Sequence, residues 1–110
     1  MPLIESQPDA LAHTYARSLF ELVDAKGGRG AIETILGQLE DILELARSDA
    51  RFNEFLASRV VPSRKRSASL QQIFGNRADP LVVNFLRVVN DKGRLSHLPA
   101  IVAAFDALAQ

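Results

Sequence analysis

From Leu11 to Leu108, apolar residues recur at intervals of three and four, the spacing that places them on one face of an α-helix. Pro8-Asp9 opens the first predicted helix, with Asp9 as N-cap. The period then runs through Leu11, Tyr15, Leu19, Leu22 and Val23 until Gly27-Gly28 stops it. From Ala31 to Arg47, Ile32, Ile35, Leu36, Leu39, Ile42, Leu43 and Ala46 form one stripe, with Glu33, Glu40, Asp41 and Glu44 opposite. A short third helix over Ala50 to Ala57, capped by Ser48 or Asp49, turns Phe52, Phe55 and Leu56 inward. Ser63 caps a fourth, whose Leu70, Ile73 and Phe74 share a stripe before Gly75 ends it. Asp79-Pro80 reads as N-cap followed by proline at the first helical position, opening a fifth helix that runs to Gly93. Ser96 and Pro99 begin a sixth, with Leu98, Ile101, Val102, Phe105 and Leu108 on one side. Strand-like alternation is nowhere sustained, and no repeat or low-complexity tract interrupts the pattern. Short loops then predict an all-α fold: a compact six-helix bundle of antiparallel neighbours, forming a single domain over residues 1–110.

The first and fifth helices are wider than a core stripe requires. Leu11, Ala12, Tyr15, Ala16, Leu19, Phe20, Leu22 and Val23 spread over roughly 180°, where about 100° suffices. On the fifth, Leu81, Val82, Val83, Phe85, Leu86, Val88 and Val89 also cover more than half the circumference, leaving Asn84, Arg87 and Asp91 for the remainder. Two readings account for this. Both helices can lie at the centre of the bundle, wrapped by the others, or they can flank a groove that receives a helix from a partner. The readings are compatible, because a central helix can leave one edge open, so the bundle is expected to have its first and fifth helices central.

Composition narrows the field. Lys and Arg number 13 against 13 Asp and Glu, so no global field draws the chain to nucleic acid or an anionic membrane. Cysteine is absent, which removes disulfides, thiolate catalysis and zinc-finger spacing, and fits a reducing compartment. Met1 to Gln7 is too short and too acidic for a signal peptide and has no arginine of the kind found in organelle transit peptides.

Candidate chemistry is sparse. Gly27-Gly28-Arg29-Gly30 lacks the following Lys-Ser/Thr and the preceding strand of a phosphate loop, so it reads as a helix connection. His13 and His97 have no second ligand at metal spacing, and no nucleophile, base and orienting group can be assembled, so neither catalytic nor metal nor cofactor residues are assigned. Arg59, Arg64, Lys65 and Arg66 form a basic cluster, the one feature supporting a different class of function, a small helical RNA-binding module. No aromatic lies within the cluster to stack a base, which counts against it.

Tyr15-Ala16-Arg17-Ser18-Leu19-Phe20 resembles the Tyr-Ala-Lys-Ala-Leu-Phe opening of the delta subunit of bacterial rotary (F-type) ATP synthases, a family related to the mitochondrial oligomycin-sensitivity-conferring protein. Phe52-Asn53-Glu54-Phe55-Leu56 is similar to that family's segment ending in Phe-Leu, and Val61-Pro62-Ser63-Arg64-Lys65 to the loop before its fourth helix. Asn84-Phe85-Leu86 with Lys92-Gly93-Arg94-Leu95 resembles its Asn-Phe-Leu and Asn-x-Arg-Leu block, and Leu98-Pro99-Ala100-Ile101-Val102 with Phe105 the start of its sixth helix. Order and spacing together cover nearly the whole chain.

The resemblance implies a non-catalytic stator subunit. Its N-terminal domain is a six-helix bundle on the catalytic head, with a groove between helices 1 and 5 for the N-terminal helix of an α subunit. The head is thereby linked to the peripheral stalk during proton-driven ATP synthesis. A second domain of the family contacts the b subunits, and this chain would correspond to the N-terminal domain with that C-terminal domain absent. Carried over residue by residue, the groove falls on Leu11, Tyr15, Ser18 and Leu22 of the first helix and on Leu81, Asn84, Phe85 and Val88 of the fifth. Ser18 stands where the family commonly has alanine, and a small side chain there still lets a partner backbone approach. Tyr15 and Phe85 are the expected dominant anchors, since large aromatics at an interface centre often cost about 2 kcal/mol or more when truncated. Lys92 and Arg94 sit where cations complement a helix C-terminus. The implied setting is peripheral, on the cytoplasmic face of the bacterial inner membrane, with no direct membrane insertion and no nucleic acid. An unoccupied groove would also allow weak self-association.

Overall fold

The computed structural model describes residues 8–110, and all its regular elements are helical. Helix α1 spans Ala10–Ser48, α2 Ala50–Ala57, α3 Ser63–Phe74, α4 Pro80–Asp91 and α5 Leu98–Ala109, with a 3-10 turn over Leu95–His97 before α5. The expected count of six is therefore corrected to five α-helices among the described residues. The expected first two follow one another across a single non-helical residue and so count as one kinked element. Gly28 has φ +64° and ψ −150°, a conformation essentially reserved for glycine, and helical geometry resumes immediately. A straight helix of 39 residues would be about 58 Å long, yet the longest dimension of the molecule is 37 Å. Gly28 must therefore turn the second arm, residues 29–48, sharply away from the first, residues 10–27.

Local chemistry fixes most of the boundaries. The Ala12 N–H donates to Asp9 Oδ1 at 2.8 Å, capping α1. Asp49, not Ser48, caps α2, accepting from Arg51 N–H and Phe52 N–H at 3.0 and 3.2 Å. Asp79 caps α4 through Leu81 N–H at 2.9 Å, with Pro80 in the first turn. At the end of α4, Gly93 at φ +71° donates to Asn90 O and Arg94 N–H to Val89 O, the paired bonds of a Schellman stop. Ser63 is not the expected cap: it is the first helical residue of α3, the flanking Pro62 has no capping side chain, and the Ser63 hydroxyl donates instead to Asn90 O at 3.3 Å. Ser96 likewise lies inside the 3-10 turn rather than at the head of α5.

The most enclosed element is α5 rather than the first or fifth expected helix. Eight of its twelve residues are buried, and its small Ala100 and Ala104 let neighbours approach closely. Its chief partner is α1, and Phe20 meets Phe105 edge-on with ring centroids 5.7 Å apart. The remaining helices close over this pair: α3 packs on α4, and Phe52 of α2 meets Phe74 of α3 edge-on at 5.9 Å. No helix among the described residues is long and apolar enough to cross a membrane.

Candidate functional site

The two stripes flagged in the sequence lie on elements that touch, since α1 packs on α4. A surface hollow lined by Val23, Lys26, Gly27, Ala31, Asp79 and Leu81 sets the first turn of α4 beside the end of the first arm of α1. A hydrogen bond reinforces the placement, with Asp79 N–H donating to Gln38 Oε1 at 2.7 Å from the second arm.

Burial divides each of these helices into two faces. On the first arm, Ala12, Ala16, Leu19 and Val23 are buried, while Leu11 and Leu22 are 37% and 60% exposed, Ser18 is exposed and Tyr15 is half-buried. On α4, Val82, Val83, Leu86 and Val89 are buried, Val88 is 50% exposed, Leu81 is half-buried and Asn84 is exposed. Phe85 lies deeper than its stripe neighbours, at 9%. Large hydrophobic side chains exposed among the described residues are Leu11, Leu22, Leu45, Val60 and Val88. Three of the five therefore fall on the two predicted stripes. Isolated exposed leucines are ordinary, but several exposed apolar side chains on two helices that touch are the kind of surface that a partner helix covers. Arg87, the cation on α4, is tied back onto α3 by bonds from Nε to Ser67 Oγ at 2.8 Å and from Nη1 to Gln71 Oε1 at 3.4 Å.

A second constellation escaped sequence reasoning. Arg66, read as part of a basic surface cluster, is 7% exposed and points into the protein. Its Nε donates to Phe55 O at 3.0 Å, Nη1 to Asn90 Oδ1 at 2.9 Å, and Nη2 to Ser58 O and to Val61 O, the latter at 3.2 Å. Asn90, itself buried, donates through Nδ2 to Ser63 O at 2.8 Å. One guanidinium thus gathers the C-terminal carbonyls of α2, the connection to α3 and the end of α4. The negative end of the α2 dipole helps to offset its charge. Desolvation lowers the Arg66 pKa from its ordinary value, although arginine remains charged in proteins. The expected four-residue basic patch is therefore reduced to Arg59, Arg64 and Lys65, and the RNA-binding alternative loses a member of its cluster. No spacing in the sequence marks Arg66 as inward, because its acceptors come from three separate segments.

The other flagged residues stay apart. His13 is exposed on α1 and His97 half-buried before α5, and among the described residues no group of three His, Cys, Asp or Glu is gathered to hold a metal. Lys92 and Arg94 are exposed around the Gly93 stop.

A family model described as the ATP synthase delta (OSCP) subunit matches residues 11–110. Among curated proteins, the chain is 37% identical over 101 residues to an ATP synthase subunit delta of Symbiobacterium thermophilum, covering 91% of this chain and 52% of that protein. It is 30% identical to the protein of the same name from Parasynechococcus marenigrum, covering 96% of this chain and 54% of the relative. The Microcystis aeruginosa relative is 27% identical, with 91% and 53% covered. The chain spans about half the length of the curated relatives it matches.

Proposed function

Because the chain belongs to the ATP synthase delta (OSCP) subunit family, we propose that it is a non-catalytic stator component of an F-type ATP synthase and that it corresponds to the subunit's N-terminal domain. In this reading, Leu11, Tyr15, Ser18 and Leu22 of α1 and Leu81, Asn84, Phe85 and Val88 of α4 line a groove for the N-terminal amphipathic helix of an α subunit. The catalytic head is thereby held to the peripheral stalk while the rotor turns. Contacts with the b subunits belong to the part of the family's proteins that this chain does not match. The complex would hold it at the cytoplasmic face of the bacterial inner membrane, without inserting it into the bilayer.

The observation that carries the reading is the exposure of three large apolar side chains, Leu11 and Leu22 on α1 and Val88 on α4, on two helices that touch. Such anchors suit helix-in-groove binding, in which residues spaced i, i+3, i+4 and i+7 on the incoming helix enter an apolar cleft. A helix seated there would bury on the order of 1,200 Å² in total, near the lower end for stable interfaces, so a few anchors must supply most of the affinity. Calorimetric titration with a peptide of about 20 residues from the N-terminus of the cognate α subunit tests this. Saturable binding with a negative heat-capacity change, lost in Tyr15→Ala, is expected. A silent titration, or binding indifferent to Tyr15→Ala, Leu22→Ser and Val88→Ser alike, overturns it.

A further inference from the structure

The connection between α2 and α3 holds an apolar side chain in solvent on a fixed backbone. Val60 is 90% exposed, more than any other large hydrophobic side chain among the described residues. Its surroundings are pinned. Ser58 Oγ accepts from Val60 N–H at 3.1 Å and Val61 N–H at 3.3 Å, while the carbonyls of Ser58 and Val61 are held by Arg66. The chain neighbours of Val60, Arg59 and Val61, line a hollow that also includes buried Leu56 and Leu95 and, around them, Pro62, Asn90 and Asp91. Charge around it is lopsided. Arg59 lines it, Arg64 and Lys65 follow in the first turn of α3, all three are exposed, and none is in an ion pair among the described residues; exposed Lys92 and Arg94 flank Gly93, another lining residue. The single carboxylate lining the hollow is Asp91.

From this arrangement we propose that the α2–α3 corner is a second docking surface, for an acidic protein segment that places an apolar residue against Val60 and carboxylates beside Arg59, Arg64 and Lys65. Complementary charge selects the partner's sign and hastens encounter. A pre-ordered loop reduces the entropy lost on binding. An exposed apolar residue next to cations in the chain, without an aromatic to stack a base, favours a polypeptide over a nucleic acid. This surface does not depend on the groove of α1 and α4.

The test is fluorescence anisotropy with a labelled peptide of about twelve residues that alternates Glu and Leu, compared with an all-Glu peptide and an RNA hairpin. Saturable binding of the Glu-Leu peptide is expected, stronger than that of the all-Glu peptide. It should weaken about tenfold in Arg64→Glu/Lys65→Glu and severalfold in Val60→Ser, and remain unchanged in Tyr15→Ala. These substitutions lie on exposed side chains, and matching melting temperatures would confirm an intact fold. Absence of saturation, indifference to the corner variants, or loss in Tyr15→Ala alone overturns the proposal, the last by moving the peptide to the groove. Tighter binding of the hairpin than of the Glu-Leu peptide also overturns it.

Discussion

Arg66 and Leu22 occupy each other's expected places. The arginine is 7% exposed and the leucine 60%, although transfer energies alone would reverse them. Arg66 repays its desolvation locally, with carbonyl acceptors at Phe55, Ser58 and Val61 and the side-chain oxygen of Asn90. Leu22 has no such compensation within the chain, and neither does half-exposed Val88. The inward cation serves the fold, whereas the outward hydrophobes serve a surface that the fold leaves uncovered. Substitutions at the two places should therefore separate stability from binding.

The largest effect is expected at the inward site. Arg66→Met keeps much of the buried stem but strips four acceptors of their donor, and leaving buried polar groups unpaired costs roughly 3 kcal/mol or more in sum. Urea unfolding should show a lower midpoint with an unchanged slope. Arg66→Lys should recover only part of the loss, because an ammonium cannot span the same acceptors as the planar fork. A midpoint equal to that of the parent would mean that water satisfies those carbonyls, and the contrast between the two sites would fail.

Tyr15→Ala comes next and reads out in the opposite assay. Tyr15 is half-buried on the exposed edge of α1, so about 2 kcal/mol should be lost from α-peptide binding, with a smaller loss in melting temperature. Phe85 is the instructive control. At 9% exposure it is the most buried of the proposed groove residues, and Phe85→Ala should lower stability by about 3 kcal/mol as well as any affinity. Equal losses of stability and binding in Tyr15→Ala would return Tyr15 to the core.

The same contrast explains what could be read in advance. Helix starts at Asp9 and Asp79-Pro80 and the stop at Gly93 were legible because caps and positive-φ glycines act within a few residues. The width of the apolar arcs on the first arm of α1 and on α4 was legible, although periodicity could not choose the open edge. Gly27-Gly28 announced a break but not its length. One glycine in an unusual conformation suffices to turn the chain, so an expected connection became a kink. Arg66 and Ser63 were misread because their partners lie across the fold: Ser63 and Asn90 bond each other at a separation of 27 residues, which no local pattern encodes. The enclosure of α5 was also hidden, since alanines on its second face read as neutral until neighbours close over them.

A smaller effect is expected at Asp79, where the contrast is sharpened by a residue that supports the groove without facing it. Asp79 caps α4, and its own N–H is held by Gln38 of the second arm. Asp79→Ala should cost about 1 kcal/mol of stability by removing the cap. If α4 frays at its first turn, Leu81 loses its fixed position, so amide exchange should quicken at Leu81 and Val82 while the Gly93 end stays protected. Uniform acceleration along α4 would show that the cap stabilises the whole protein rather than the start of the groove wall.

The smallest change in stability belongs to Leu22→Ala. At 60% exposure the side chain has little burial to lose, and alanine is the better helix former, so the two contributions nearly cancel, leaving stability within about 0.5 kcal/mol of the parent. The same substitution removes an apolar contact from the proposed groove, and α-peptide affinity should fall severalfold, on the order of 1 kcal/mol. An unchanged unfolding midpoint with weakened binding is the signature of a side chain kept outside for a partner. A midpoint lowered as far as that of Arg66→Met would show that Leu22 is covered in solution by another part of the chain or by a second copy, and a midpoint that also varied with protein concentration would single out the second copy.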